Sequence, residues 1–178
     1  MSQQDTPGDL EERVRRLEKK EDVKETVQRY VRALDSQNEE MLGSVFAPDA
    51  TADVIPWGHY DGREEILEMY KGVWEEMPLL NHLPINQVIE VDGDDAVATS
   101  YWIARVETIE GQPIKSGGFY ERQLTRADGD WVHTYFKCDI QYLHPVDTPS
   151  FREVIEVEED PPYPQDNENH PIPLFPER

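Results

Sequence analysis

The chain has 178 residues and a strongly acidic composition, with 38 Asp and Glu residues against 17 Lys and Arg residues and a formal net charge of −21. Such a surface repels phosphate backbones and anionic lipids, which argues against nucleic-acid and membrane roles. The single cysteine, Cys138, excludes an intrachain disulfide, and no uncharged apolar run approaches the ~20 residues that span a bilayer. These features predict a cytoplasmic protein.

The first half of the chain has the periodicity of amphipathic helices. Apolar residues recur at steps of three and four over residues 10–34, which predicts a helix that ends near Asp35. A capping-box pattern at Asp22 and Glu25 leaves open whether this helix breaks in two. Further helices are predicted over residues 39–46 and 63–76, a short strand over residues 50–55, and an irregular stretch over residues 56–62.

After residue 76 the apolar pattern changes from helical spacing to alternation. Strands are predicted over residues 81–91, 96–108, 114–126 and 131–143. Glycine-containing turns at 92–94, 110–111 and 128–130 predict hairpin connections between them. Helices followed by such a meander indicate an α+β fold, in which the helices cover one face of a curved, mostly antiparallel sheet.

Composition divides the chain into three parts. Residues 1–9 are predicted to be a disordered lead-in, and residues 10–143 a single domain. Residues 144–178 contain eight of the chain's 14 prolines and many acidic residues, so we expect an extended acidic tail with no core of its own. Such a tail is either loose in solvent or docked along this subunit or a neighbour.

One strand carries a histidine that is a candidate catalytic base. Alternation along residues 81–91 places His82 on one face with Pro84 and Asn86, a mixture of polar and apolar groups that is typical of a pocket wall. The other face carries Leu83 and Ile85, which we expect to pack against the helices. A hydrogen-bonded structural histidine is the alternative explanation.

Asp35 is the candidate partner of this histidine. A carboxylate at a helix C-terminus is disfavoured by the helix dipole, so its position calls for a compensating group such as an imidazolium. If Asp35 accepts a hydrogen bond from one ring nitrogen of His82, the other nitrogen is left as a base near neutral pH. Tyr30, on the same helix, can donate to a substrate oxygen, although core packing explains it equally well.

Several short segments resemble the SnoaL-like branch of the NTF2-like superfamily. They are Tyr30-Val-Arg-Ala-Leu-Asp-Ser-Gln-Asn, Phe46-Ala-Pro-Asp-Ala, Tyr60-Asp-Gly-Arg-Glu-Glu-Ile, His82, and the late stretch from Gly118 to Trp131. Their order and spacing cover residues 10–143. The resemblance implies a cone in which a curved sheet surrounds a deep apolar cavity.

Tyr30, Asp35 and His82 resemble the active-site positions of scytalone dehydratase, bile-acid 7α-dehydratase and hexachlorocyclohexane dehydrochlorinase. In those enzymes a His–Asp pair abstracts a proton from carbon, and elimination or isomerisation follows without metal or coenzyme. The resemblance therefore implies a cofactor-independent lyase or isomerase for a small hydrophobic, cyclic, oxygenated molecule. It also implies a homo-oligomer, a dimer or a trimer, formed through the outer face of the sheet.

The same analogy supplies candidate substrate-binding residues. By this analogy Tyr101, Ile103 and Arg105 would point into the cone. Independently of it, Trp57 and Tyr60 on the irregular stretch before the third helix are candidates for the rim of the pocket mouth, with simple packing as the alternative. At Arg105 the chain departs from the bile-acid dehydratase pattern, which has a carboxylate nearby, and a structural salt bridge is the alternative role. The last strand offers three more candidates on one predicted face: His133, Tyr135 and Lys137.

Other classes of site have no signal in the sequence. There is no phosphate-binding loop, dinucleotide fingerprint, His-Glu-x-x-His pair or Gly-x-Ser-x-Gly elbow, so no metal or cofactor is predicted. The alternatives are a non-catalytic ligand carrier, a scaffold such as the small subunit of ring-hydroxylating dioxygenases, or polyketide-cyclase or epoxide-hydrolase chemistry. A scaffold has no need to pair His82 with Asp35 inside a cavity, so the distance between these side chains discriminates.

Overall fold

The computed structural model describes residues 7–147. Its helices are α1 (Pro7–Asp35), α2 (Glu39–Ser44) and α3 (Arg63–Glu76), and its strands are β1 (Phe46–Ile55), β2 (Gly58–Asp61), β3 (Leu79–Asp92), β4 (Asp95–Glu107), β5 (Pro113–Ala127) and β6 (Asp130–Pro145). The predicted α+β class and the predicted order of helices before a strand meander are confirmed.

The ends of the domain differ from the prediction by a few residues. Helix α1 begins at Pro7, so residues 7–9 of the predicted lead-in are helical, which suits a proline in the first helical turn. It continues without a break through Asp22 and Glu25. Strand β6 continues to Pro145, two residues into the predicted tail. Residues 1–6 and the tail from residue 148 lie outside the described residues.

The strands form a six-stranded sheet in the order β2-β1-β6-β5-β4-β3, antiparallel except for the parallel pair β1 and β6. Strand β2 was predicted as irregular chain, because four residues that begin with glycine carry no alternating pattern. Its pairing with β1, for example Tyr60 opposite Ala52, is a tertiary contact. None of the helices in residues 7–147 has the length and apolar character that crossing a membrane requires.

Helix α1 lies against the inner face of the sheet because that face carries small residues where the helix crosses it. Val23 and Val27 pack against Ala96 and Ala98 of β4. Further along α1, Tyr30 belongs to a larger core cluster that also contains residues of α3, β1 and β6. The inner face thus changes from a close helix–sheet contact at one end to an aromatic core at the other.

A β-bulge in β3 changes which side chains face inward. Asn86 has a positive φ of 52°, and the pairing with β4 shifts between Ile85 and Val88. His82 faces inward before the bulge and Ile89 after it, because an extra residue reverses the alternation. The expectation that Leu83 and Ile85 pack against the helices is therefore wrong, and both lie exposed on the outer face.

Candidate active site

The C-terminal end of α1 fixes the position of Asp35. Gln37 adopts the left-handed conformation with φ of 54°, and its N–H donates to the carbonyl of Leu34 at 3.3 Å. The Asn38 N–H donates to the carbonyl of Ala33 at 2.9 Å. These two bonds are the Schellman arrangement that ends many helices. The chain therefore reverses just after Asp35, whose side chain contacts β3.

Asp35 holds His82 through two hydrogen bonds. The Nδ1 atom of His82 lies 2.6 Å from Oδ1 of Asp35, and the backbone N–H of His82 donates to Oδ2 at 2.8 Å. Because an ionised carboxylate only accepts, Nδ1 carries a proton, and in the neutral imidazole Nε2 is then the nitrogen with the lone pair. The His82 side chain is 9% exposed and that of Asp35 20% exposed. The pair predicted from the sequence is thus in contact and mostly shielded from water.

His82 lies in the wall of a largely apolar cavity inside the cone. Its ring is 5.5 Å from that of Trp102, which stacks on Tyr120 at 5.3 Å. Other lining residues come from α1, α3, β1 and β6 and include Leu34, Val54, Val73 and Ile140. Charged groups inside such walls are screened less than in water, so the field of a base or a hydrogen-bond donor is stronger there.

The cavity is narrow in this side-chain arrangement. Its volume is about 50 Å³, which is room for a few water molecules at ~10–15 Å³ each. A ring-sized ligand therefore requires side chains at the rim to move. Trp57 and Leu143 line the cavity and are both partly in solvent, so they are the side chains with the freedom to open it. Trp57 was expected at the cavity mouth, and its part in substrate binding stays a prediction.

Tyr30 and Tyr70 form a buried pair of phenols on the cavity wall. Their hydroxyl oxygens are 2.7 Å apart, and Tyr30 is fully buried. Burial raises the pKa of both phenols well above the ordinary value, so both are protonated at neutral pH. One hydroxyl donates to the other, and a hydrogen bond between Tyr30 and Tyr120 extends the pair into a chain of three phenols on the cavity wall. Tyr70 was not among the candidate site residues, because an aromatic residue on a helical stripe is ordinarily packing.

The structure corrects the predicted orientation of β4. Tyr101 and Ile103 are 51% and 43% exposed on the outer face, and Arg105 is exposed beside them. The inward positions are the alternate residues: the small Ala96 and Ala98 lie where α1 crosses the strand, and Trp102 lies further along the strand in the cavity wall. Trp102 is thus a cavity residue that the sequence analysis missed, and the signal was the row of alanines on its face. Arg105 donates to the side-chain oxygen of Asn81 at 3.1 Å, outside the cavity.

The predicted common face of His133, Tyr135 and Lys137 is also wrong. A register shift between Gln123 and Leu124, where β5 pairs with β6, separates His133 inside the core from the other two outside. His133 donates from Nδ1 to the carbonyl of Val45 at 2.8 Å. None of the three lines the cavity that contains His82.

Cys138 lines the cavity but is not suited to act as a nucleophile. Burial raises the pKa of its thiol to about 12, so the thiolate is scarce at neutral pH. Within residues 7–147, no group of three or more His, Cys, Asp or Glu side chains is placed to hold a metal ion. The base and hydrogen-bond donors that remain in the lining include His82, the tyrosines and the indole N–H of Trp102, which has no hydrogen-bond partner within the described residues.

A second His–Asp pair lies on the outer face of the sheet. Nδ1 of His59 is 2.7 Å from Oδ1 of Asp53, and the Tyr135 hydroxyl donates to Oδ2 of Asp53 at 2.8 Å. His59 and Asp53 are 60% and 37% exposed. The two pairs have similar hydrogen-bond lengths and differ in burial, so the outer pair is a natural control for the inner one.

Burial of His133 leads to a prediction about stability. Desolvation lowers its pKa to about 3 in the folded protein, with the charge of Arg122 as the next cause, while the unfolded chain has the ordinary ~6.5. Below that value the unfolded chain takes up a proton that the folded protein does not. His133 should therefore lower the unfolding free energy by ~1 kcal/mol as the pH falls from about 6 to 5.

Replacing His133 with Phe should remove this pH dependence. The variant loses the side-chain hydrogen bond to the Val45 carbonyl, but the backbone N–H of residue 133 still donates to the same oxygen, so the variant should fold. Urea unfolding at both pH values measures the difference. If the unfolding free energy falls by the same amount between pH 6 and pH 5 in the wild type and in H133F, the buried, neutral state of this histidine is contradicted.

Comparisons with known proteins agree with this fold. Hexachlorocyclohexane dehydrochlorinase LinA type 2 superposes with a TM-score of 0.71 at 22% identity, over 76% of this chain and 94% of that one. LinA type 3 from Novosphingobium barchaimii LL02 gives 0.70 at 24%, over 76% and 95%. A proposed scytalone dehydratase from Novosphingobium aromaticivorans DSM 12444 gives 0.68 at 17%, over 75% and 91%.

At these identities the structural likenesses establish the fold alone, and they confirm the predicted NTF2-like cone. A comparison with curated protein sequences finds no match. The family model described as a SnoaL-like domain matches residues 15–137, which is most of the domain. The chain belongs to the SnoaL-like domain family.

Proposed function

We propose that the protein is a cofactor-independent lyase or isomerase of dehydratase type, which acts on a small hydrophobic, cyclic, oxygenated substrate. The observation that carries this proposal is the 2.6 Å contact between Asp35 and His82 in the wall of an apolar cavity. Dehydrochlorinases and dehydratases, named among the structural neighbours, are both elimination enzymes. These names support the reaction class of the proposal.

In the proposed reaction His82 is the base. Its Nε2 lone pair takes a proton from a carbon next to a substrate carbonyl, and the electron pair of the broken C–H bond moves to the carbonyl oxygen as an enolate. When the enolate collapses, a new C=C bond forms and the bond to a β-hydroxyl breaks. The proton on His82 goes to the departing oxygen, so water leaves and the base is regenerated. Isomerisation follows if the proton returns to a different carbon.

Asp35 and Tyr30 support this proton transfer in different ways. Asp35 keeps the proton on Nδ1 and stabilises the imidazolium that forms when Nε2 is protonated, as carboxylate partners of catalytic histidines do. Tyr30, through its pair with Tyr70, provides a hydroxyl that donates to the enolate oxygen, where negative charge develops. Both effects are stronger between the largely apolar walls of this cavity than in bulk water.

The non-catalytic alternatives lack a comparable observation in their favour. A scaffold subunit or a passive carrier gains nothing from a carboxylate that fixes the tautomer of a histidine beside a cavity. Polyketide-cyclase chemistry begins with the same abstraction of a proton from carbon and differs in the bond that forms afterwards. Proton abstraction from carbon is therefore the step to test first.

The proposal is tested by hydrogen exchange in D₂O with a panel of cyclic ketones and cyclic β-hydroxyketones. The expected result is protein-dependent incorporation of deuterium at the carbon next to the carbonyl, and loss of water from those members that carry the β-hydroxyl. Proton NMR follows both. If the protein binds panel members yet accelerates neither exchange nor elimination, the acid–base proposal is contradicted and a carrier role is favoured.

We further propose a homo-oligomer, a dimer or a trimer, formed through the outer face of the sheet. Leu83 lies opposite Ile103 and Ile85 lies opposite Tyr101, so four exposed apolar side chains form one patch. Monomeric proteins rarely expose such contiguous apolar surfaces. A second copy of the same face is an occupant that covers the patch on both subunits.

Replacing Ile103 with Glu should dissociate this oligomer, because each interface would then bury carboxylates without partners. Light scattering coupled to gel filtration should give an oligomer for the wild type and a monomer for I103E. Ile109→Glu is the matched control, since Ile109 is exposed on the β4–β5 connection away from the patch. A monomeric wild type would refute the proposal.

A further inference from the structure

Arg122 is a cation buried behind the cavity wall. It lies on the inner face of β5 and is fully buried. Nη1 donates to the hydroxyl of Ser100 at 3.1 Å, whereas Nε and Nη2 have no hydrogen-bond partner. No carboxylate in residues 7–147 forms an ion pair with it.

An arrangement of this kind is costly for a folded protein. An arginine remains protonated in proteins, and removing its charge from water costs several kcal/mol unless a counter-charge or a full set of acceptors replaces the lost hydration. One hydroxyl and several aromatic faces supply only part of that compensation. A buried cation of this kind would be stabilised by negative charge that appears nearby.

The negative charge can appear in the cavity that contains His82. The Arg122 guanidinium lies 4.3 Å from the ring centre of Tyr120 and 5.7 Å from that of Tyr30, and both tyrosines line the cavity. Its charge opposes the effect of burial on the pKa of Tyr30, Tyr70, Tyr120 and Cys138, four protic groups of the same wall. The field of Arg122 therefore extends to the place where a substrate oxygen would meet the tyrosine hydroxyls.

We propose that Arg122 is a positioning residue for an oxyanion: acting through Tyr30 and Tyr120, its buried charge makes the cavity bind the ionised oxygen of an enolate or phenolate in preference to the neutral form. This assigns the substrate to the enolisable cyclic ketones. It rests on the proposed function, because an enolate is the intermediate of that reaction.

The physical argument has two parts. The rings of Tyr30 and Tyr120 separate the guanidinium from the cavity, so a ligand anion cannot form a direct ion pair that would trap the product. The low effective dielectric constant of the interior lets the charge act across that separation. The tyrosine hydroxyls then donate to the anion, and Arg122 increases the strength of those bonds by stabilising the charge they share.

A phenol that changes colour on ionisation tests the proposal directly. With 4-nitrophenol, absorbance titration of the bound ligand should give a pKa at least about one unit below its value in solution, a tenfold or greater preference for the phenolate. R122M should remove most of that shift, and R122K should retain it. R126M is the matched control, because Arg126 is an exposed arginine of the same strand whose Nε donates to the carbonyl of Gly129.

The outcomes are separable from those of the proposed function. The titration is repeated in H82Q, which has no histidine to carry a positive charge at this position. The pKa shift of the bound phenol should persist there, because the proposal assigns it to Arg122. A bound pKa at or above the solution value in the wild type, or no binding of the phenol, overturns the proposal even if R122M fails to fold. An equal shift in the wild type and folded R122M overturns it as well. Neither result bears on whether His82 is needed for turnover.

Discussion

Replacing His82 with Gln is expected to lower the rate at which the protein incorporates deuterium into a cyclic ketone substrate. The expected decrease is about 10²–10⁴-fold, the contribution of a positioned general base. Glutamine has no group that takes up a proton near neutral pH. The backbone N–H of residue 82 can still donate to Asp35, so the strand should keep its position. Initial rates of exchange by NMR at saturating ketone give the comparison.

His59→Gln is the control for this experiment. His59 also bonds an aspartate at 2.7 Å but lies on the exposed outer face, so its loss should leave the exchange rate unchanged. Near-wild-type exchange in H82Q, or an equal loss in H59Q, would contradict the assignment of the base to the buried pair.

Replacing Asp35 with Asn should have an effect of similar size, for a reason that lies in the geometry of the pair. The two Asp35 oxygens accept from two groups of His82, and one of these, the backbone N–H, can only donate. The Asn oxygen must therefore face the backbone, and its NH₂ group must face Nδ1. That atom then has to accept, which puts the proton on Nε2 and removes the base.

The D35N variant should fold, since both hydrogen bonds have a replacement, and thermal unfolding should verify this. Asp53→Asn is the matched control on the outer face. We expect exchange to fall by about 10²–10⁴-fold in D35N and to be unaffected in D53N. A D35N variant with unchanged exchange would show that the carboxylate acts only on the fold.

The sequence contained enough information for the three helices, for five of the six strands and for the candidate His82–Asp35 pair, because local patterns of apolar spacing and turn residues place both the helix end and the strand that carry the pair. Apolar spacing ends α1 near Asp35, and a carboxylate there requires a partner. The antiparallel strands with glycine turns have regular alternation. A helix end and an inward-facing strand residue are then the only features that the contact needs.

The side-chain directions that were predicted wrongly all concern one question: which of the two alternating sets of residues on a strand faces the core. A bulge at Asn86 in β3 and a shift near Thr134 in β6 each reverse which residues face the core, and neither has a distinctive sequence signal. On β4 there is no such break, and the analogy selected the wrong face. The alanines there mark the close approach of α1, so they identify Trp102 as inward-facing.

The cavity groups that went unrecognised depend on contacts between distant parts of the chain. Tyr70 meets Tyr30 across 40 positions, and Arg122 gains its surroundings from several strands. A tyrosine on a helical stripe and an arginine in a strand resemble ordinary packing and surface residues. Their chemical meaning comes from burial, which the tertiary structure determines.

The central claim is that Asp35 and His82 act as a single base. The most direct measurement is the effect of D35N on the exchange rate in two backgrounds, the wild type and H82Q. If the pair acts as a unit, D35N should cause its full loss in the wild type and none in H82Q, because residues that act together are not additive. An equal loss from D35N in both backgrounds would contradict the claim.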